Sequence, residues 1–148
     1  MAKFDMRNNA ESAMALSATL SGVTPSAGGA IDMQGWEAVT FTVSTGTVTD
    51  AGTTSGFSFE VQESDTQDSG YTAVSDADLI GTEAALTVTS DDDDNVLVGT
   101  IGYRGEKQYV RIVATGTTGT DAAVTVTARK DKGAVMGEAT IQAALASS

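Results

Sequence analysis

Cysteine and histidine are both absent from this chain of 148 residues. Without cysteine there is neither a disulfide framework nor a thiolate metal site. Without histidine the chain lacks the commonest general base, the usual partner of a nucleophilic serine and the commonest zinc ligand. Proline occurs once, at Pro25, and aromatic residues are few, with Trp36 the single tryptophan. That leaves little for a stacking platform that would hold bases or sugars. No apolar run approaches the about 20 residues that span a bilayer. Ser, Thr and Glu interrupt MAKFDMRNNAESAMALSATL where a secretion signal needs a continuous apolar core. The expectation is a soluble protein, made in a cytoplasm, with no membrane partner. A net charge of −12 also lacks the basic stripe that nucleic-acid phosphates require.

Basic residues are missing over most of the chain as well. From Asn8 to Tyr103 there are ten Asp, five Glu and no Lys or Arg. Six basic residues then arrive in a short span: Arg104, Lys107, Arg111, Arg129, Lys130 and Lys132, against Glu106, Asp121 and Asp131. A strongly acidic body with a locally basic late segment favours repulsion between bodies and attraction at one chosen contact.

What is present is period two. Val39, Phe41 and Val43 alternate with Thr40, Thr42 and Ser44; Phe57, Phe59 and Val61 alternate with Ser58, Glu60 and Gln62. Val110, Ile112 and Ala114, then Val124 and Val126, repeat the pattern, and each run predicts a half-buried strand. Ala85–Thr89 and Val96–Ile101 are strand-like, the second apolar on both faces as in a central strand. Met14, Leu16, Ala18 and Leu20 also fit period two, with a short helix as the competitor. Turn signals separate the runs at Thr45-Gly46-Thr47, Asp50-Ala51-Gly52, Ser69-Gly70, Asp91–Asn95, Gly102–Gly105 and Thr115–Thr120. Asp76–Gly81 reads as one helical turn capped by Asp76. The pattern predicts an all-β protein, an antiparallel β-sandwich of jelly-roll or Ig-like kind with about seven to nine strands.

The ends differ from the middle. Residues 1–29 and 131–148 are rich in small residues yet carry Met6, Met14, Leu16, Met136, Ile141 and Leu145. We read residues 30–130 as the sandwich and the flanks as an N-terminal and a C-terminal arm. Either the arms add strands or a helix to the domain's own core, or they order against a neighbouring subunit by strand addition or groove filling.

Motifs for chemistry are sparse. Asp91-Asp92-Asp93-Asp94 could offer oxygen ligands to calcium, but it lacks the alternating spacing and distal Glu of the known loop. Four adjacent carboxylates repel, so a solvated hairpin tip is the favoured reading. Most acids fall in turns or on outward strand positions, which speaks against paired-carboxylate catalysis. No Gly-rich loop opens a helix to cradle phosphates. The expectation is a protein that is not an enzyme and needs no cofactor or metal. Trp36, in Met33-Gln34-Gly35-Trp36-Glu37, is expected to plug one end of the sandwich. Gly102-Tyr103-Arg104-Gly105-Glu106-Lys107 predicts a tight turn of a hairpin. Tyr109 and Arg111 then project from the face opposite Val110 and Ile112. Those cations either pair with acids of the same chain or meet carboxylates of a partner, which suit arginine's planar fork.

The succession AIDMQGWEAVTFTVSTGTVTDA, FSFEVQESD, YTAVSDADLIGTEA and IGYRGEKQYVRIVAT resembles a family of small proteins of tailed bacteriophages, often encoded among the head genes. The matching positions are Ile31, Asp32, Gly35, Trp36 and Glu37, and then Gln62, Glu63, Ser64 and Asp65. Ala77, Asp78, Leu79, Ile80 and Gly81 follow, and then Gly102, Tyr103, Gly105, Tyr109, Val110 and Arg111. Gln108 stands where the family usually has a basic residue. A Gly-x-Pro ending is replaced by Arg129-Lys130-Asp131-Lys132 and an Ala-rich tail. The resemblance covers residues 30–128 and implies a decoration, or cement, protein on the outer surface of a virion. Its expected partner is the major capsid protein, its expected place of synthesis the host bacterial cytoplasm, and a homo-oligomer such as a trimer is the expected state. The residues expected at contacts are Arg104, Lys107, Tyr109, Arg111, Arg129, Lys130 and Lys132, with Met6, Met14, Leu16, Met136, Ile141 and Leu145 on the arms. Two other readings stay open: a head–tail connector or tail-tube ring protein, and a surface adhesion module that binds calcium or glycan.

Overall fold

The computed structural model describes residues 10–131. Among the described residues ten strands form two five-stranded sheets, and all their pairings are antiparallel. The long strands are β1 (Ala10–Ser21), β4 (Ala38–Asp50), β5 (Ser58–Ser64), β8 (Leu97–Tyr103), β9 (Tyr109–Thr115) and β10 (Asp121–Asp131). Four two-residue strands edge them: β2 (Ser26–Ala27), β3 (Ile31–Asp32), β6 (Thr72–Ala73) and β7 (Leu79–Ile80). One sheet runs β1-β10-β4-β8-β7; the other runs β2-β9-β5-β6, with β3 also on β9. The expected antiparallel sandwich is what the chain forms. Alternation does the work, because inward Val39, Phe41, Val43, Val61, Val110, Ile112 and Val126 are all fully buried between the sheets.

The segment expected as an N-terminal arm supplies a full edge strand from Ala10 onward, paired with β10 from Ala10↔Asp131 to Ser21↔Asp121. A bulge between Met14 and Leu16 breaks the expected phase. Ala15 and Leu16 are both buried, whereas Met14 is 61% exposed. One extra residue flips every side chain before it to the other face. Leu16 therefore belongs to the core and not to an arm contact. Residues 1–9 and 132–148, with Met6, Lys132, Met136, Ile141 and Leu145, lie outside the described residues.

Two further expectations change. Thr45-Gly46-Thr47 is not a turn: β4 runs through it, and its register against β10 slips there, from Thr45↔Val124 to Val48↔Ala122. Glycine lets the strand accept that bulge without ending. Ala85–Thr89 is not a strand either. Glu83–Leu86 is a 3-10 turn that buries Leu86, after which Val88 makes a single bridge to Phe57. The turn at Asp76–Asp78 is present, but Ser75 caps it by accepting from the Ala77 N–H.

These irregular pieces close the sides of the sandwich. On one side Gly28 donates to Ile112 O at 2.8 Å and Gly29 to Ala15 O at 3.1 Å, tying the second sheet to β1. A Cβ on Gly28 would stand 2.2 Å from the Ala15 carbonyl oxygen, so only glycine fits. On the other side Glu83 Oε1 accepts from the Val61 N–H at 2.6 Å. Burial raises the Glu83 carboxyl above the usual range, and the Val61 bond opposes this.

Candidate interaction end of the sandwich

Register fixes what meets at each end. At one end lie the start of β1, the end of β10, the start of β4, the end of β8 and the start of β9, through Ala10↔Asp131↔Ala38 and Val39↔Tyr103. The described chain both begins and finishes there. The segment Arg104–Gln108 spans this end, but not as a hairpin. β8 is flanked by β4 and β7, and β9 by β5 and β2/β3, so the segment crosses from one sheet to the other.

Tyr103 anchors the crossing. Its ring is fully buried, and its hydroxyl donates to Glu63 Oε2 at 2.7 Å while accepting from the Lys107 N–H at 3.1 Å. Burial, then the bond to Glu63, pushes its phenol far above the ordinary range. Gly105 packs directly on that ring, where a Cβ would sit 2.6 Å away. Tyr103 thus shapes the loop that presents Arg104 and Lys107, a role its motif position alone did not reveal.

The expected contact residues divide. Arg104 is exposed; its backbone N–H donates to Asp78 O at 2.9 Å and its Nη2 to Ala77 O at 3.4 Å. Lys107 Nζ pairs with Asp65 at 2.5 Å, with both side chains substantially exposed. That hydrogen bond, with the carboxylate's charge, raises the Lys107 pKa. Arg111 projects from the face opposite Val110 and Ile112, as expected, yet it is held within the chain. Its Nε donates to Gln62 Oε1 at 2.9 Å and its guanidinium lies 4.0 Å from the Tyr71 ring centre. Burial raises the Tyr71 phenol and the Arg111 charge opposes it. Tyr109 is half-buried and accepts from Gln108 Nε2 at 3.2 Å. Arg129 is exposed on the outer face of β10.

Lys130 departs most from expectation. It continues the inward series Ala122, Val124, Val126 and Ala128, and only 9% of it is accessible. Its Nζ donates to Asp32 O at 3.2 Å, lies 3.4 Å from Glu11 and sits 5.1 Å from the Trp36 ring centre. Period two places it there: the next inward position after Ala128 at a sandwich end accepts a long stem with a polar tip. Trp36 packs partly buried against the core at this end. Beside it opens a shallow cleft of about 500 Å³, lined by Met33, Trp36, Glu37, Arg104, Lys107 and Gln108 among others. Sequence reasoning did not unite Trp36 with the cationic loop. The ordered motifs around each were the available signal.

The other end is acidic throughout: Asp50, Asp91 to Asp94 and Asp121 gather where β4 and β10 turn, with no basic residue near them in sequence or strand register. The acid run is more than a solvated tip. β8 begins opposite Ser44, so the rest of β4 has no strand on that side. The loop takes the missing strand's place. Thr45 N donates to Val96 O at 3.0 Å, Asn95 N to Gly46 O at 2.9 Å, Val48 N to Asp94 Oδ1 at 2.5 Å and Ala51 N to Asp91 Oδ1 at 2.6 Å. Two of the four carboxylates satisfy backbone amides that would otherwise lack partners. Among the described residues no group of three or more acids is arranged to hold a metal ion. Nor is any described helix long and apolar enough to cross a membrane.

No protein-family model matches the sequence, and a comparison with curated proteins finds no match. Among solved structures the fold is similar to that of PBSX exported protein XepA, with a TM-score of 0.51 and 13% sequence identity. The match covers 83% of this chain and 37% of that one, so the chain spans little more than a third of that protein's length. At this identity the likeness is one of fold.

Proposed function

We propose that this chain is a non-enzymatic structural protein of a phage particle, a decoration or cement protein that binds the outer face of the major capsid lattice and braces it. The observation that carries the reading is the segregation of the two ends. Exposed Arg104, Lys107 and Arg129, the Trp36 cleft and both ends of the described chain share one end. Among the described residues, the charged groups of the opposite end are all carboxylates, beside exposed Val96 and Leu97. A body so polarised approaches a surface in one orientation and leaves its acidic end in solvent, where it keeps particles apart. The ordered motifs shared with small phage head proteins support a phage setting, and the fold likeness to PBSX exported protein XepA fits it. Modest contacts repeated over many identical lattice positions add up to a strong shell.

Co-sedimentation with capsids tests this. The Arg104→Glu, Lys107→Glu double variant is expected to bind roughly tenfold or more weakly while staying folded, and Asp92→Lys to bind as well as the parent. Equal occupancy by the double variant would refute the docking end. A parent protein that ignores capsids altogether would refute the function.

A further inference from the structure

The outer face of the β1-β10-β4-β8 sheet is built unlike the rest of this acidic chain. Register sets Met14, Thr127, Thr42 and Thr100 in one row across it, and Ser17, Thr125, Ser44 and Leu97 in the next. Neither row holds a charge, whereas the outer face of the second sheet carries Glu60 and Arg111 in its middle. Two bulges put the large apolar side chains on it. Without the irregularity after Met14, that residue would follow Leu20 and Leu16 inward. Without the shift from Val43↔Gly99 to Ser44↔Leu97, Leu97 would follow Ile101 inward. Instead Met14 is 61% and Leu97 67% exposed, both on this one face. Bulges that re-aim side chains commonly serve a contact. We propose that this face pairs with the same face of a second copy, across a two-fold axis that lies along the row of Thr125 and Leu97.

Charge and area select this occupant and this axis. On the outer side of β10, Arg129 lies at one end and Asp121, paired in register with Asp50, at the other. Rotation about the Thr125–Leu97 row brings Arg129 of each copy over Asp121 of the other, and Leu97 onto Leu97. The other two-fold, along the strands, would set Asp121 and Asp50 of both copies face to face. A net charge of −12 on each body leaves an uncharged face as the place where two copies approach at least cost. Four strands about 4.8 Å apart and roughly 27 Å long give about 500 Å² per copy. The pair therefore buries about 1,000 Å², the lower limit for a specific interface, so the dimer is weak. Edges serve less well than the face. Gly29 N–H already takes the Ala15 carbonyl beside β1, and β7 at the far edge has two residues. The dimer is a state of the free protein. It lays an acidic end beside each mixed end, so the docking proposed above draws single copies from it.

Sedimentation velocity of the full-length protein tests this without any capsid, so its outcome is separate from that of docking. Between roughly 5 and 500 μM the parent is expected to pass from monomer to dimer. Leu97→Asp sets two carboxylates against each other on the axis and should weaken the dimer roughly tenfold or more. Circular dichroism should not change, because that side chain is mostly exposed. Arg129→Asp should weaken it by roughly three- to tenfold, and adding Asp121→Arg should restore parent affinity, since every pair is then reversed. The two positions are eight residues apart on one strand, about 27 Å, so restoration can only act between copies. A monomer at every concentration would overturn the proposal and leave the face to a different protein. A trimer, or a dimer that ignores Leu97→Asp, would overturn it in favour of another surface. A double swap no better than Arg129→Asp alone would overturn the axis.

Discussion

The two ends of the sandwich use charge in opposite ways. At the end that holds both described chain ends, opposite charges are interleaved: Lys107 meets Asp65, and Lys130 meets Asp32 O and Glu11 around Trp36. At the other end the charged groups among the described residues are all carboxylates, and two of them serve the backbone of β4. The same residue types therefore do different work. Acids beside cations fix the shape of a loop and a cleft, whereas acids without cations replace a missing strand. The acidic end is thus a structural element as well as a concentration of negative charge, and the mixed end carries the cations on which the proposed docking relies.

The strongest way to break this comparison acts on β1, which runs from one end to the other. Leu16→Ala should cost about 2–5 kcal/mol, while Met14→Ala, two residues away, should cost close to nothing. Urea unfolding of both would show whether the bulge sets the phase; equal effects would undo the register. Next is the acidic end. Asp94→Ala, which strands the Val48 N–H, should destabilise by about 1–3 kcal/mol. Asp92→Ala makes no such loss and should be neutral or slightly stabilising. A calcium-dependent melting temperature in the parent would instead favour a cation role for the run. At the mixed end, Tyr103→Phe removes the bond to Glu63 and the acceptor for Lys107 N–H. It should cost about 1–2 kcal/mol by thermal melting and leave β8 and β9 paired with their neighbours.

The smallest effect concerns pH. The Glu83 carboxyl is raised in the fold, so its contribution to stability is full below the ordinary carboxylate range and is lost as pH rises through its folded value. Glu83→Gln should accordingly gain a few tenths of a kcal/mol, roughly, over the parent at neutral pH and nothing near pH 4, since the group is largely solvated. A gain that is larger in acid would reverse the assignment.

Much of the fold was legible because burial on one face writes itself as alternation, and Val39–Val43, Phe57–Val61 and Val110–Ala114 read correctly. The bulges at Ala15 and Gly46 were not legible, since one extra residue leaves composition and turn propensity unchanged while reversing a face. Lys130 could have been found by extending the Val124, Val126, Ala128 series to its next inward position. The roles of Asp91 and Asp94 could not, because their partners lie 40 and 46 residues away. At the candidate site, the cationic loop and Trp36 were each visible as motifs. Their convergence depends on β3 and β4 entering beside the crossing from β8 to β9, which no local pattern encodes.

The central claim is that the mixed end docks and the acidic end faces solvent, and orientation on the particle tests it most directly. A density map of capsids decorated with the protein should place Arg104, Lys107 and Trp36 against the shell, with Asp91 to Asp94 pointing away from it. Density that sets the acidic loop against the shell, or no added density at all, would contradict the account.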